Sequence, residues 1–228
     1  GYDDPAQKYV RHDAVTDWIR NRARQQYGDK TISKEDIFYY VYGLLHSKDY
    51  RKAFTNDLKK MLPRIPLVDD VKDFRTFERA GRELAALHLH YETPRKVDGV
   101  EVVCAGGNLA NVSLRVSKMR FAKNGKETDL SAIEYNNAVT VKGIPAKACE
   151  YVVNGKTPME WMMEFYTENS NKKYSENKIV NDANSWCEEH HNPRYILDTL
   201  INVIDVSCRT VDIVDALPHL DLKESNED

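Results

Sequence analysis

Apolar positions recur in steps of three and four over roughly the first 95 residues and in steps of two after that, which predicts helices followed by a sheet. Residues 13–27 predict a first helix, with Trp18, Ile19 and Ala23 as its apolar markers. Ser33 with Asp36 three residues on is an N-capping signature for a second helix. In that helix Ile37, Tyr40, Val41, Leu44 and Leu45 fall on one stripe, and the pattern breaks at His46-Ser47. A third helix is expected over about 49–61, basic outside, with Tyr50, Phe54, Leu58 and Met61 inside, stopped by Pro63 and Pro66. Residues 71–91 form a longer one, whose seam of Phe74, Phe77, Gly81, Leu84, His88 and Tyr91 suits packing against another helix.

Strands are expected at 100–103, 112–122, 131–135 and 138–142. Asn124-Gly125 and Asn136-Asn137 are two-residue hairpin turns, so the strands should form an antiparallel meander. Thr157-Pro158-Met159-Glu160 combines a capping box with proline at the first helical position, predicting a helix to about Tyr166 and then a polar loop over 169–181. Asn192-Pro193 opens a long last helix that buries Leu197, Leu200, Ile201, Ile204, Cys208 and Val211. The fold class is therefore α+β: a helical N-terminal part, an antiparallel β meander with an inserted helix, and a long C-terminal helix. The expected division is a helical subdomain over 1–95, a β-rich subdomain over 96–218 forming one compact unit with it, and a disordered acidic tail over 219–228.

With 228 residues, 41% of them hydrophobic, the chain can bury a sizeable core. No run approaches the 18 or so apolar residues that a membrane-spanning helix needs. The first residues, Gly-Tyr-Asp-Asp, lack both an initiator Met and a signal-peptide apolar region, so a fragment of a longer protein is expected. Cys104, Cys149, Cys187 and Cys208 are scattered without a C-x-x-C pair, the usage of a reduced, cytoplasmic protein. The net charge of −3 argues against a protein that coats nucleic acid nonspecifically, but a reading module depends on where its charges lie.

The distribution is uneven. Arg115, Lys118, Arg120, Lys123 and Lys126 lie in 112–126 with no acidic residue among them. On a single strand, Lys118 and Arg120 share a face that Arg115 does not, while Lys123 and Lys126 flank the Asn-Gly turn, where a hairpin tip can reach a phosphate or a groove. The alternative is a solubilising strand edge guarded by lysines. Lys48, Arg51, Lys52, Lys59, Lys60 and Arg64 form a second cluster, diluted by Asp49 and Asp57, which reads for the most part as a solvated helix face. Arg64 differs, because a guanidinium fixed between two prolines loses little freedom on binding phosphate or guanine.

Cys187, His190 and His191 lack a second compact ligand pair, so a zinc site is not expected, and His88 on its apolar seam reads as a hydrogen-bonded core histidine. No P-loop, nucleophile elbow or G-x-G-x-x-G is present, and Asp69-Asp70 and Glu188-Glu189 are neighbours that point to different sides. Trp161, Trp186, Tyr166 and Tyr195 could stack on bases, although most aromatic residues serve cores or interfaces. Trp161, beside Met162, Met163 and Phe165, fits a core, and Trp186 is the more open case.

Several segments, in order, resemble those of the C-terminal specificity region of type ISP restriction–modification enzymes. They are Asp36-Ile37-Phe38-Tyr39-Tyr40-Val41-Tyr42, Pro63-Arg64-Ile65-Pro66-Leu67, and Gly81-Arg82-Glu83-Leu84-Ala85 with Leu87-His88-Leu89 and Tyr91-Glu92. Lys118-Met119-Arg120-Phe121, Gly143-Ile144-Pro145, Tyr151-Val152-Val153-Asn154-Gly155-Lys156 and Asn192-Pro193-Arg194-Tyr195-Ile196-Leu197 continue the series, so the resemblance spans about 14–218. It implies a target-recognition domain of a long polypeptide that also carries a nuclease, an ATP-driven translocase and an N6-adenine methyltransferase. Nothing here resembles the methyltransferase's N-P-P-Y-type motif, helicase motifs or nuclease acids. The expectation is a chain that is non-catalytic by itself, with S-adenosylmethionine, ATP and Mg bound by domains outside it.

The partners implied are double-stranded DNA and the methyltransferase domain of the same polypeptide, with no membrane and a monomeric state. Arg64, Arg115, Lys118, Arg120, Lys123, Lys126, Lys156 and Arg194 are the expected DNA contacts, with Lys156 placed before a helix N-terminus whose amides favour a phosphate. Another reading stays open, in which the helical parts are a scaffold coupling methyltransferase to translocase. An independent hydrolase would need a coordinated metal or a converged acid–base pair.

Overall fold

The computed structural model describes residues 15–54, 65–166 and 183–221. The chain divides into two compact units, one taking in positions up to Ala86 and again from Ile213, the other running from Leu87 to Asp212. Both divisions fall inside helices, whereas the apolar period changes near residue 96.

The first unit is helical. Thr16 caps α1 (Asp17–Tyr27) by accepting from the Ile19 amide, and Gly28 in the left-handed region ends it. The capping box expected at Ser33 and Asp36 is present at the start of α2 (Lys34–His46). Ser47 ends α2 and caps α3 (Lys48–Ala53) by accepting from the Tyr50 amide, which explains the break at His46-Ser47. The helix expected over 49–61 is corrected: it ends at Ala53, with the amide of Phe54 after it donating to the Tyr50 carbonyl, and Leu58 and Met61 lie outside the described residues.

The first sixteen residues of α4 (Val71–Leu89) also belong to this unit, whose core joins Ile37, Tyr40, Leu44, Tyr50, Phe74 and Phe77. Tyr40 stacks on Phe74 at 4.7 Å, and its hydroxyl donates to the Pro66 carbonyl while accepting from the Val68 amide. Gly43 and Gly81 bring the α2 and α4 backbones together: a Cβ on Gly81 would lie 1.7 Å from the Tyr39 carbonyl oxygen.

Above that contact the two helices share a charged layer. Arg75 donates to Asp29 and Asp36, and Arg82 to Asp36, at 2.7–3.0 Å, with Glu78 hydrogen-bonded to Asp36. Burial pushes the Glu78 carboxyl up, and its hydrogen bond to Asp36 pushes it the same way. Burial also raises Asp36, but hydrogen bonds from the Ser33 amide, the two arginines and Glu78 outweigh it and hold it below the usual carboxylate range. A carboxyl raised by folding stabilises below its unfolded value and loses that contribution as pH rises through its folded one. Glu78→Gln should therefore gain in Tm relative to wild type as pH rises from about 4 to 8, because only the wild type loses the contribution of the protonated carboxyl. Thermal melts of both proteins across that range test it, and a difference that is constant with pH would refute it.

The second unit holds a four-stranded antiparallel sheet of β1 (Glu101–Cys104), β2 (Arg120–Asn124), β3 (Glu127–Glu134) and β4 (Val139–Lys142). The spatial order is β1-β4-β3-β2, so β2–β3–β4 is a meander and β1 pairs with the far edge of β4. Inward residues Ile133, Val139 and Val141 form one core with Met159 of α5 (Pro158–Phe165), Cys187 of α6 (Ala183–Glu189), and Leu197, Leu200 and Ile204 of α7 (Tyr195–Asp215).

Of the stripe expected on α7, Leu197, Leu200, Ile204 and Val211 are buried and Ile201 and Cys208 half-buried, yet α7 also buries Thr199, Asn202, Asp205, Ser207 and Thr210. The Asn202 side-chain oxygen accepts from the Arg95 amide, and Asp205 pairs with Arg95 at 3.2 Å and Arg209 at 2.8 Å. Ser207 and Thr210 donate to carbonyls four residues back. His88 is hydrogen-bonded at 2.9 Å to the Thr210 hydroxyl and stacks on Tyr151. The polar loop expected over 169–181 and residues 222–228 of the tail lie outside the described residues.

Candidate nucleic-acid interface

The strand expected over 112–122 is the main correction: β2 begins only at Arg120. Residues 112–119 alternate like a strand, but side chains rather than a neighbouring strand satisfy their backbone. Tyr135 donates to the Leu114 carbonyl, and Asn136 to the Ser113 and Arg115 carbonyls. Asn184 grips Val116 from both sides, accepting from its N–H at 2.9 Å and donating to its C=O at 2.7 Å. Peptide groups held this way have no need of a ladder. Arg115 and Lys118 therefore sit on an irregular segment, not on a face shared with, or opposed to, Arg120 on one strand.

The β2–β3 hairpin is real, with its turn one residue further on than expected. Asn124 pairs with Glu127, leaving Gly125 and Lys126 as the two loop residues, with Gly125 at φ +64°. Glycine at the first loop position supplies that positive φ without a Cβ clash. Lys126 is thus at the tip itself, and Lys123 stands opposite Thr128.

The partner strand also brings counter-charges that 112–126 lacks. Glu134 faces Arg120 and accepts from its Nε at 2.6 Å, while Glu127 and Asp129 lie further along β3. Reading the whole hairpin, not one strand, would have found them. Among the described residues Lys118, Lys123 and Lys126 form no ion pair.

Arg115 and Arg194 come together on the rim of an open cleft of about 770 Å³, walled by Leu109, Val112, Leu114 and Pro193, with Glu188 and His191 beside them. Each arginine has a carboxylate, Glu188 at 3.4 Å and Asp198 at 3.0 Å. His191 follows the end of α6 at φ +51°, with the Asn192 amide donating to the Cys187 carbonyl. Next to it Trp186 stacks on His190 at 4.0 Å and packs against Tyr195, whose hydroxyl donates to Glu92. That hydrogen bond, with burial, raises the Tyr195 phenol and keeps it a donor. Cys187 is buried, and among the described residues no three of His, Cys, Asp and Glu converge as a metal-binding group.

Lys156 closes a tight turn in which Asn154 and Gly155 both have positive φ and the Val153 amide donates to its carbonyl at 2.8 Å. The helix start after it is less open to an anion than its position suggests. Thr157 accepts from the Glu160 amide and the Glu160 carboxylate accepts from the Thr157 amide, so two of the end's amides are already engaged. Lys156 itself donates to Glu164 and lies over the Trp161 ring at 4.9 Å. The core placement expected for Trp161 is also corrected: it is 39% exposed, and its indole N–H donates to the Val153 carbonyl. Arg64 lies outside the described residues.

The sequence pattern described as the Type ISP C-terminal specificity domain matches residues 2–199. The chain belongs to that family. Among solved structures, this Type ISP specificity domain is similar to a nuclease-deletion mutant of the Type ISP restriction-modification enzyme LlaGI in complex with a DNA substrate mimic. The identity is 43% over 82% of this chain and 14% of that one, with a TM-score of 0.68. It is also similar to the ATP-dependent Type ISP restriction-modification enzyme LlaBIII bound to DNA, at 38% identity over 90% of this chain and 12% of that one, TM-score 0.73. A DrdV–DNA complex solved by cryo-electron microscopy shares 28% identity over 89% of this chain and 20% of that one, TM-score 0.71. The chain thus spans between 12% and 20% of the length of these relatives. Comparison with curated proteins finds no match. Among the described residues no helix is long and apolar enough to cross a membrane.

Proposed function

We propose that this chain is the DNA target-recognition domain of a Type ISP restriction–modification polypeptide, reading duplex sequence and placing the target adenine for an adjacent N6-adenine methyltransferase. The observation that carries this reading is membership of the specificity-domain family together with likeness to three proteins whose solved structures contain DNA or its mimic. In the reading, Lys118, Lys123, Lys126 and Arg120 on the hairpin side, Arg115 and Arg194 on the cleft rim, and Lys156 and Arg64 on turns hold phosphates or read base edges. Cations with no carboxylate partner meet phosphate at the least cost, and those held by Glu134, Glu188, Asp198 or Glu164 must exchange one anion for another.

The domain is non-catalytic by itself. Methyl transfer, translocation and cleavage, with S-adenosylmethionine, ATP and Mg, belong to sequence outside it, and the whole acts as a cytoplasmic monomer. Base extrusion into the methyltransferase requires the duplex to be gripped on both sides of the target, which is the service such a domain supplies.

One observation favours a second reading, the coupling scaffold: Trp161 and Phe165, one turn apart on α5, are 39% and 68% exposed and present an apolar face. Fluorescence-anisotropy titration of the chain against a pool of random duplexes, at low and near-physiological salt, separates the two. Binding that weakens steeply with salt supports recognition. No binding at low salt would abandon it for the scaffold.

A further inference from the structure

Between the pairs Phe121↔Ile133 and Ala122↔Asp129, β3 carries three residues that have no partner on β2: Leu130, Ser131 and Ala132. This bulge is fixed in place. The Ser131 amide and hydroxyl both donate to the Asp129 carboxylate, at 2.9 and 2.6 Å, and the Ile144 amide donates to the Ser131 carbonyl at 2.9 Å. Ala132 turns inward and is buried, whereas Leu130 is 50% exposed and belongs to neither apolar core. A lone exposed leucine is ordinary on a protein surface. This one stands on a built irregularity of the strand that follows the Gly125-Lys126 turn, and bulges commonly serve to re-aim a side chain.

We propose that Leu130 is an apolar base reader, making contact with the C5-methyl group of a thymine when the β2–β3 ribbon enters the major groove. The proposal rests on the DNA-recognition reading above. A two-stranded ribbon fits the major groove, and apolar side chains there distinguish thymine by its methyl group. A ribbon lying along the groove turns one face to the base edges, and Leu130, four residues and about 13 Å of extended strand back from Lys126, stands on the body of that ribbon and not at its tip. With Lys126 and Lys123 on phosphates near the tip, Leu130 is the apolar side chain that the bulge turns to the base edges. The neighbours of Leu130, Asp129 and Ser131, are tied to each other, so the bulge offers the groove one apolar group.

The test uses the chain as it stands. Duplexes enriched from a random pool by wild type are remade with each thymine replaced in turn by deoxyuridine, which lacks only the methyl group. At one position wild type should lose about fourfold in affinity, the factor that burying one methyl-sized group gives. Leu130→Ala should bind the thymine and uracil versions of that position equally. The ratio is taken within each protein, so a general weakening does not mimic the effect.

A variant that still discriminates thymine from uracil as wild type does, or a wild type indifferent to every replacement, would overturn the assignment while leaving DNA recognition intact. Loss of affinity by Leu130→Ala for all duplexes alike, with discrimination kept, would also overturn it and mark a protein contact. If no sequence is enriched, DNA reading itself fails and the assignment with it.

Discussion

Gly81→Ala is expected to cost at least about 3 kcal/mol of stability, the upper end for overpacking a tight contact, and to lower Tm by roughly 6–12 °C. The reason is the nature of the obstacle. A Cβ on Gly81 would lie 1.7 Å from the Tyr39 carbonyl oxygen and 2.9 Å from the Gly43 amide nitrogen. Both are backbone atoms of α2 that cannot swing aside as a side chain would. The helices must separate, and the aromatic layer of Tyr40, Phe74 and Phe77 beside them is pulled apart. Alanine's better helix propensity, about 1 kcal/mol, offsets part of the loss. Gly43→Ala should behave alike, since its Cβ would meet the Phe77 carbonyl oxygen at 2.3 Å. Urea and thermal unfolding measure both, and a Gly81→Ala protein melting within roughly 2 °C of wild type would show that the helices part easily.

What the sequence could show about this unit depended on distance along the chain. The Ser33–Asp36 and Thr157–Glu160 boxes are readable because both partners lie within one helical turn. Gly81 is visible as a small residue in an apolar seam, but its meaning comes from Gly43 and Tyr39, about forty residues away. The same holds in the sheet-bearing unit. Residues 112–119 alternate as a strand should, and it takes Tyr135, Asn136 and Asn184 to show that side chains replace the ladder. Asn202 and Asp205 look like the solvated side of α7 until Arg95, over a hundred residues earlier, is placed against them. The basic segment is legible as composition. Its counter-charges are not, because they sit on the strand it pairs with, and Leu130 carries no sequence signal apart from the register shift that exposes it.

Replacing Lys118, Lys123 and Lys126 together by alanine is expected to weaken binding to random duplexes roughly 30- to 300-fold at low salt. It should also flatten the dependence of log K on log salt by about 2.7, or about 0.9 for each phosphate that a lysine no longer neutralises. These three make no ion pair among the described residues, so their full charge is available to phosphate. Arg120→Ala should cost less than any one of them, because Glu134 at 2.6 Å already neutralises that guanidinium. Glu134→Gln should have the opposite sign, tightening binding several-fold by releasing Arg120 and removing a like charge from the DNA's path. The sign matters more than the size: a purely solubilising strand edge would lose nothing in the triple variant and gain nothing from Glu134→Gln. An unchanged salt slope in the triple variant would move the phosphate-binding cations off the hairpin, to the rim formed by Arg115 and Arg194, where the same titration on their alanine variants would find them.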